Sequence, residues 1–332
     1  MIVVTGGAWF IGSALVWRLN ERGCSDICIV DHLCRSEKWR NLAPLKYADY
    51  IDKIDFITRL EAGAFGSDIR AVLHMGACSS TTETDADYLM ENNYRYTLRL
   101  AQWWRRHPET RFIYASSAAT YGSGDAGYAD DERLLHTLTP LNMYGYSKHL
   151  FDCIAYDKGW LDKCVGLKYF NVFGPNESHK GDMRSVIAKA YTRVRDEGVM
   201  ELFESYRSGV GHGDQARDFI YVKDAVDITL FFLDHPQVSG LYNVGSATAR
   251  SWNDVAQALF KAVGKQPVID YIPMPAALRE KYQYFTRADV SKLRAAGCLH
   301  QCLLLEDAIA DYVGNYLRTD SRLTNSKEVR GA

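Results

Sequence analysis

The feature that most constrains this chain is its opening stretch, MIVVTGGAWFIGSALVWRLN. A short run of β-branched residues leads into a glycine-containing turn, and an apolar pattern with helical spacing follows the turn. The turn resembles the pattern G-x-x-G-x-x-G, whose glycines permit a tight bend and let the backbone approach a pyrophosphate. Gly6 and Gly12 hold the outer places, but Trp9 holds the middle one. The stretch therefore predicts a strand, a turn and a helix at a dinucleotide site, with an unexpected indole in the turn.

Beyond the first helix, the chain continues to alternate strand-like and helix-like patterns. Apolar runs at 27–30, 71–77 and 111–115 are separated by stretches with helical spacing. This rhythm predicts an α/β fold with a doubly wound parallel sheet of the Rossmann type. Because 332 residues suit two lobes better than one compact unit, we also expect a smaller mixed α/β lobe that binds the substrate.

The two expected lobes interleave along the sequence, because strand-like runs return at DFIYVKDAV and LYNVGS. The Rossmann lobe is assigned residues 1–171, about 219–247 and 290–318, and the substrate lobe about 172–218 and 248–289. The last helix, around 303–317, is expected to return to the Rossmann lobe. The polar tail at 319–332 is expected to be frayed. A short strand is expected at Phe56 and Ile57.

Charge and composition argue against several classes of partner. The 39 Lys and Arg residues nearly balance the 41 Asp and Glu residues, so nothing favours nucleic acid or an anionic membrane surface. No segment has the pattern of a signal peptide or of a membrane-spanning helix. A small charged metabolite is the more natural partner, and we expect a cytoplasmic protein.

The eight cysteines lack the spacing of a zinc site or of a CxxC pair. Reduced thiols in a cytoplasmic protein fit this pattern best. Cys298 and Cys302 flank His300, but a short segment of this kind usually packs without a metal. We therefore predict no metal site.

Polar residues follow several predicted strands, where ligands of open α/β sheets bind. Asp31 ends the second strand and could accept hydrogen bonds from ribose hydroxyls, whereas the nearby cations Arg35 and Lys38 could balance a 2′-phosphate. NAD and NADP therefore both remain open. Asn92 and Asn93 lie on a predicted helix, and an inward-facing asparagine could brace a catalytic loop.

A candidate acid/base lies in the string NMYGYSK. Tyr144 and Lys148 are four residues apart, so on a helix they occupy the same face. An ammonium beside a phenol favours the phenolate, so we expect Lys148 to lower the pKa of Tyr144 from about 10 toward neutrality. The pair also occurs by chance on helix surfaces, but here it follows a dinucleotide turn and a serine at a strand end.

These motifs carry a family resemblance. TGGAWFIG, the serines of SSAATYG and the string YGYSK resemble the extended short-chain dehydrogenase/reductase superfamily. A narrower match is carried by GACSSTTE, ENNY, YASSAATYG, LNMYGYSK, YFNVFGPNESHKG, RDFIYVKD and FTRADVSKLRAAG. With these strings the chain resembles the ADP-L-glycero-D-manno-heptose 6-epimerase family up to about Leu317. The HKG at 179–181 separates that family from other sugar-nucleotide epimerases.

The resemblance implies a tightly held NADP, with NAD as the alternative, and an ADP-heptose substrate. The family's reaction inverts C6 of ADP-D-glycero-D-manno-heptose and supplies heptose for the lipopolysaccharide core. Since a carbinol proton is too weak an acid for direct removal, we expect hydride transfer to the nicotinamide, a transient ketone and return of the hydride. The resemblance also implies a homo-oligomer, with a pentamer as one form.

The matching positions imply roles for individual residues. Tyr144 and Lys180 match the two acid/bases, Lys148 the helix lysine, and Ser117 the hydroxyl that holds the reacting oxygen, with Ser116 as its alternative. The implied cofactor contacts are Gly6, Phe10, Ile11, Gly12, Asp31, His32, Lys38, Lys53, Met75, Gly76, Ala77, Cys78, Ser79, Asn92, Lys148, Val172 and Lys180. The implied substrate contacts are Asn171, Asp182, Lys189, Phe203, Glu204, Arg217 and Tyr282.

Arg217 is the best of these for a diphosphate, because its planar guanidinium can bind two oxygens. The alternative is a surface arginine that pairs with Asp218.

The chain departs from the family pattern at several positions, namely Trp9, His32, Met75, Asp182 and Lys189. We expect the indole of Trp9 to turn outward over the groove, so that the dinucleotide still fits. The alternative is that the indole displaces the cofactor, which then binds weakly.

Three alternative functions remain. The nearest is another nucleotide-sugar epimerase, such as one that inverts C4 of a hexose. A 4,6-dehydratase is disfavoured, because Ala118 and Ala119 stand where an acidic pair would be needed. A cofactor-poor binding protein is suggested by Trp9 alone.

Overall fold

The structure is a computed structural model that describes residues 1–279 and 282–325. Its strands are β1 (Ile2–Thr5), β2 (Ile27–Asp31), β3 (Asp49–Asp52), β4 (Ala71–His74), β5 (Arg111–Ser117), β6 (Val165–Tyr169), β7 (Asn171–Phe173), β8 (Met200–Phe203), β9 (Ala216–Tyr221), β10 (Gly240–Val244), β11 (Ala249–Ser251) and β12 (Ile269–Ile272). Its α-helices are α1 (Phe10–Glu21), α2 (Lys53–Glu61), α3 (Ala86–Leu89), α4 (Tyr96–Trp104), α5 (Met143–Asp157), α6 (Val186–Asp196), α7 (Val222–Asp234), α8 (Trp252–Val263), α9 (Ala276–Arg279), α10 (Ser291–Ala295) and α11 (Leu305–Tyr312).

The main sheet has seven strands in the order β10-β6-β5-β4-β1-β2-β3. All six neighbouring pairs are parallel, and β1, β2 and β4 consist entirely of buried residues. Near-continuous apolar strands of this kind are typical of a sheet covered by helices on both faces. The predicted Rossmann-type fold is therefore confirmed. The carboxyl ends of β1 and β4 lie side by side, with Thr5 opposite His74.

The second lobe is built on two small sheets. One has the order β11-β9-β7, and the other pairs β12 with β8. An apolar core that includes Tyr191 of α6, Phe260 of α8 and Ile309 of α11 fills this lobe. In the described ranges, no helix is long and apolar enough to cross a membrane.

Two expectations about lobe membership are wrong. The strand-like run that contains Phe219 was assigned to the Rossmann lobe, but β9 pairs with β7 and β11 in a sheet of the second lobe. The last helix, α11, packs in the core of the second lobe with α8 rather than returning to the first lobe. The apolar pattern of a buried strand is the same whichever sheet the strand joins, so the sequence could not assign β9 to the correct sheet. The division into lobes is otherwise kept as a proposal.

Two local expectations are also wrong. Phe56 and Ile57 lie in α2, where Asp52 caps the helix by accepting a hydrogen bond from the Ile54 amide. The tail is anchored as far as residue 325, because Leu323 is fully buried and the Trp17 indole donates to the Thr324 carbonyl at 3.1 Å. The rest of the predicted frayed tail, 326–332, lies outside the described residues.

Candidate active site

The first turn sits against the end of β4, and its glycines allow that approach. Gly6 has a φ of +65°, and a Cβ there would lie 2.8 Å from the Gly76 Cα. A Cβ on Gly12 would lie 2.1 Å from the Gly6 carbonyl oxygen. Both distances are far below van der Waals contact, so neither position accepts a side chain. The turn thus needs these two glycines, as the sequence pattern predicts.

One cavity of about 350 Å³ opens beside this turn. It is lined by ten of the predicted cofactor residues, which are Gly6, Asp31, His32, Lys38, Lys53, Gly76, Ala77, Cys78, Ser79 and Asn92. We call it the first compartment. Trp9, Tyr88, Tyr96 and Met183 complete much of its wall.

Asp31 organises the polar end of the first compartment. Its carboxylate accepts hydrogen bonds from the Ala8 amide at 2.9 Å and from the His32 amide at 2.7 Å. Lys38 Nζ forms an ion pair with it at 2.6 Å, and both side chains are buried. Lys53 Nζ donates to Asn92 Oδ1 at 2.5 Å. Two lysines therefore lie where an anionic group of a nucleotide could be held.

A second cavity of about 170 Å³ contains the predicted chemistry. We call it the second compartment. It brings together all four predicted catalytic residues, Ser117, Tyr144, Lys148 and Lys180. It is also lined by the predicted cofactor residues Phe10, Ile11, Gly12, Met75, Ala77, Ser79 and Val172.

The two serines at the end of β5 have different partners. Both serines are buried and line the second compartment, but Ser116 Oγ donates to Asp152 at 2.6 Å, whereas Ser117 forms a hydrogen bond with Tyr144. Ser117 Oγ accepts a hydrogen bond from the Ala119 amide at 3.1 Å. The proton of the Ser116 hydroxyl is thus donated to Asp152, whereas Ser117 lies in contact with the candidate acid/base Tyr144, which favours Ser117 over Ser116.

The acid/base groups are tuned mainly by burial. Burial raises the pKa of Tyr144 above its ordinary value, and a hydrogen bond with Ser117 opposes that rise. Burial lowers the pKa of Lys148 to about 8, although its Nζ donates to the Ala115 carbonyl at 2.8 Å. The pKa of Tyr144 is therefore raised and not lowered as expected, because desolvation of the buried phenol is the largest cause of its shift.

Lys180 reaches the second compartment from another part of the chain. It lies in a 3₁₀ turn, Ser178–Met183, and its Nζ is 4.8 Å from the centre of the Phe10 ring. Burial lowers the pKa of Lys180, and Glu177 opposes that shift. Glu177 itself is fully buried and accepts hydrogen bonds from the amide and hydroxyl of Ser185 at 2.5 and 2.7 Å.

Buried polar residues brace the loop that the two compartments share. Asn93 accepts a hydrogen bond from the Cys78 amide at 2.8 Å and donates to the Cys78 carbonyl at 2.9 Å. Its amide also lies 3.0 Å from Ser147 Oγ on α5. The inward-facing asparagine considered from the sequence is therefore Asn93, whereas Asn92 faces the first compartment. Asn93 lies in a π-helical stretch, Met90–Arg95, a distortion common at functional sites.

A second brace, which the sequence did not suggest, is centred on His74. Its Nδ1 is 2.6 Å from Thr5 Oγ1, and its Nε2 is 2.8 Å from Thr97 Oγ1. Thr5 in turn accepts a hydrogen bond from the Gly76 amide at 3.1 Å. A histidine inside an apolar strand is the only sequence signal for this network.

The predicted substrate residues are only partly brought together. Lys189, Phe203 and Tyr282 line a third cavity of about 430 Å³ in the second lobe. Trp252, which the sequence did not suggest, also lines it and donates to the Tyr282 hydroxyl at 2.9 Å. Four predicted residues do not line these cavities, and one of them, Arg217, is described below. Asn171 is exposed on β7, Asp182 accepts a hydrogen bond from Lys189 through its carbonyl, and Glu204 accepts one from Tyr206.

Arg217 is buried without an acidic partner. Its guanidinium carbon lies 5.1 Å from the centre of the Tyr282 ring, and it donates to the Ala216 carbonyl at 2.9 Å. No carboxylate pairs with it within the described part of the chain. Asp218, the alternative partner, instead accepts hydrogen bonds from Ser246, Ala247 and Ala288. A buried guanidinium of this kind suits an anionic ligand.

The segment around His300 brings its histidine and Cys302 close to Asp224. Asp224, His300 and Cys302 place their ligand atoms within 4.8 Å of one another. Both carboxylate oxygens of Asp224 accept hydrogen bonds, one from His300 at 2.9 Å and one from the Leu303 amide at 3.1 Å. These bonds account for the cluster without a metal.

The residues of the two compartments fit a dinucleotide. The first compartment offers cations and amides for phosphate and ribose groups, and the second offers the groups of a hydride-transfer site. Both are lined by Ala77 and Ser79, so the compartments adjoin.

Comparison with known proteins agrees with this geometry. The ADP-L-glycero-D-manno-heptose-6-epimerase of Nitratidesulfovibrio vulgaris is 54% identical over 317 residues, which is 96% of this chain and 98% of that protein. The crystal structure of the enzyme of that name from Helicobacter pylori superposes with a TM-score of 0.78 at 28% identity, covering 94% of this chain and 95% of that one.

A UDP-glucose 4-epimerase of Thermus thermophilus, in complex with NAD, superposes with a TM-score of 0.74 at 25% identity, covering 96% and 99% of the two chains. The resemblance drawn from the sequence is confirmed. Residues 2–245 match the profile of the NAD dependent epimerase/dehydratase family. The chain belongs to this family.

Proposed function

We propose that the chain inverts C6 of the heptose in ADP-D-glycero-D-manno-heptose to give the L-glycero epimer, by transient oxidation to a ketone. One observation carries this proposal: a single small compartment holds two proton-transfer groups from separate elements, Tyr144 on α5 and Lys180 on the turn after β7. Inversion through a ketone needs a group on each side of the carbon, because the two epimers present their hydroxyls differently. The names of the similar proteins supply the substrate class.

When bound, a nicotinamide dinucleotide supplies the hydride acceptor and donor for this reaction. In the first compartment Asp31, Lys38 and Lys53 would hold its nucleotide end, and in the second Lys148 would hold the nicotinamide ribose.

Tyr144 and Lys180 transfer the proton of the C6 hydroxyl. As C6 loses its hydride, its hydroxyl proton passes to one of the two groups, Tyr144 or Lys180. The Ser117 hydroxyl holds the reacting oxygen during this step. When the hydride returns to the opposite face of the ketone, the other group donates a proton to the oxygen. The reaction is therefore redox-neutral overall, and substrate and product differ only at C6.

We propose NADP as the cofactor, with NAD as the alternative. The Asp31 carboxylate is already neutralised by Lys38 and occupied by two amides, so it repels a 2′-phosphate less than a free carboxylate would. Lys53 and His32 add donors nearby. The family description and the Thermus thermophilus complex name NAD. Acid release of the dinucleotide from purified protein, followed by chromatography, distinguishes the two cofactors.

We propose that the third cavity and Arg217 bind the ADP part of the substrate. Phe203 and Tyr282 offer aromatic faces for the adenine, and Lys189 and Arg217 offer cations for the diphosphate. Asn171, Asp182 and Glu204 are kept as proposed contacts of the sugar. We further propose a cytoplasmic homo-oligomer, with a pentamer as one form, which light scattering would test.

The deciding experiment is incubation with ADP-D-glycero-D-manno-heptose, followed by chromatographic separation of the C6 epimers. A parallel incubation with UDP-glucose tests the nearest alternative, a hexose C4 epimerase. Conversion of UDP-glucose without conversion of the ADP-heptose would refute the proposal. Protein that carries no nucleotide and converts neither sugar would instead indicate a binding protein.

A further inference from the structure

Trp9 stands at the junction of the two compartments. It lines both cavities, and so do Ala77 and Ser79 from the loop after β4. A dinucleotide that fills both compartments must therefore pass between the indole and that loop. The middle of such a molecule is its pyrophosphate, which this narrow passage would enclose.

The indole is supported from behind by residues of the 3₁₀ turn that carries Lys180. The rings of Trp9 and His179 contact each other in a T-shaped arrangement, with centroids 4.4 Å apart and planes at 76°. On another side, Lys38 Nζ lies 5.4 Å from the centre of the indole. Lys38 is itself fixed by its ion pair with Asp31. The half-buried indole is thus packed rather than free in the groove.

The supporting turn is fixed in its own right. Glu177, just before it, accepts hydrogen bonds from Ser185, from the Gly174 amide and from the Tyr312 hydroxyl. His179 Nδ1 lies 3.2 Å from the Asn41 amide nitrogen, and Asn41 also donates to the Ala8 carbonyl in the first turn. Asn41 therefore joins the βα turn to the 3₁₀ turn that supports the indole.

His179 also retains an unused polar atom at this place. Its Nε2 is buried and has no hydrogen-bond partner among the described residues. Burial lowers the pKa of this imidazole to about 4, so the ring is neutral near pH 7. Asn41 is a donor toward Nδ1, which leaves the proton on Nε2. His179 lines neither compartment, so its imidazole supports the indole from behind and does not itself line the passage.

We infer that the Trp9 indole, held in place by His179 behind it, forms a clasp over the dinucleotide passage and retains the cofactor between turnovers. This inference rests on the proposed redox cycle, in which the same dinucleotide must return the hydride that it removed. If the reduced dinucleotide left the protein in mid-cycle, the ketone intermediate could not be reduced to the product. A glycine at position 9 would offer no surface for His179, so the tryptophan adds a retention device that the motif alone does not supply.

The test measures release of dinucleotide from the holoenzyme without any substrate. Protein loaded with radiolabelled NADP is mixed with excess unlabelled NADP, and the loss of bound label is followed. We expect Trp9→Gly to release the label about tenfold faster, which corresponds to about 1.4 kcal/mol. His179→Ala should release it a few-fold faster. Because the two rings act together, the double variant should be no faster than Trp9→Gly alone.

Matched controls separate the clasp from general effects of losing an aromatic residue. Trp39, which is half exposed, and His136, which is exposed, lie outside both compartments. Trp39→Ala and His136→Ala should release dinucleotide at the unmodified rate, and Trp9→Phe should restore most of the retention. Thermal unfolding of each variant shows whether it is folded.

Equal or slower release from Trp9→Gly would overturn the inference, as would fully additive effects of the two substitutions. The proposed function fails separately, through absence of C6 epimerisation in the unmodified protein.

Discussion

Tyr144→Phe and Lys180→Met test the central chemistry as a pair. Each change removes one proton-transfer group and keeps much of the side-chain volume. Phenylalanine retains the ring of Tyr144, and methionine retains a chain that can pack on Phe10, whose ring centre lies 4.8 Å from Lys180 Nζ. Any large loss of rate therefore reports the missing proton transfer rather than a cavity.

The magnitude follows from the role of each group. A positioned general acid or base contributes about 10²- to 10⁴-fold to the rate. Loss of either group should therefore lower kcat for epimerisation by about that factor, which is about 3–5 kcal/mol of activation free energy. The Ser117 hydroxyl stays in place in both variants and still holds the reacting oxygen, so dinucleotide and substrate should continue to bind.

A half-reaction distinguishes the two roles. Each epimer needs one of the two groups to accept its hydroxyl proton as the dinucleotide is reduced. Nicotinamide absorbance in the holoenzyme should therefore show reduction with one epimer in Tyr144→Phe and with the other epimer in Lys180→Met. The controls are Tyr146→Phe, an exposed tyrosine on the same helix, and Lys163→Met, an exposed lysine. Full epimerisation in either active-site variant, or loss of reduction with the same epimer in both, would refute the two-group reasoning.

Three further predictions concern pH, the substrate anion and the tail. Burial lowers the pKa of Lys148 to about 8, so its ammonium is present below that pH and activity should fall as the pH rises through it. In Lys148→Arg, which stays charged, this alkaline limb of the kcat profile should move to higher pH. A limb that does not move would contradict the assignment. Arg217→Met should raise the KM for the ADP-sugar about 10- to 100-fold, as expected for a lost charged hydrogen bond, while the dinucleotide stays bound. An unchanged KM in steady-state kinetics would count against the diphosphate site. Leu323→Ala should lower the free energy of unfolding by about 2–5 kcal/mol, because the side chain is fully buried. If a denaturant titration gives the same free energy for the variant, the tail is frayed after all.

The sequence predicted those parts of the molecule whose signals are local. The turn with Gly6 and Gly12, the alternating strands and the spacing of Tyr144 and Lys148 each follow from neighbours in the chain. The residues that line the two compartments also lie where the motif positions placed them. What was missed depends on contacts between distant segments.

Three particular residues show why such contacts were missed. Leu323 is buried in an apolar core that contains residues of α1, and the nearby hydrogen bond from Trp17 to Thr324 spans 307 positions. Its neighbours in sequence are polar, so the sequence wrongly suggested a frayed tail. Phe56 and Ile57 are apolar and β-prone, but the cap at Asp52 and their burial on one helix face override that preference. Glu177 lies in a loop and looks solvent-exposed in sequence, although the structure buries it completely.

The pKa shifts of the two proton-transfer groups in the second compartment share one cause, which is burial. Burial raises the pKa of Tyr144 and lowers that of Lys180, so burial favours the uncharged form of both. Inversion nevertheless needs one of the two groups to accept the hydroxyl proton of the substrate and the other to donate a proton to the ketone oxygen. Which group accepts depends on the epimer that binds. After one inversion, the accepting group holds an extra proton and the donating group lacks one. The site must therefore exchange a proton between them, or with solvent, before the next substrate of the same configuration reacts.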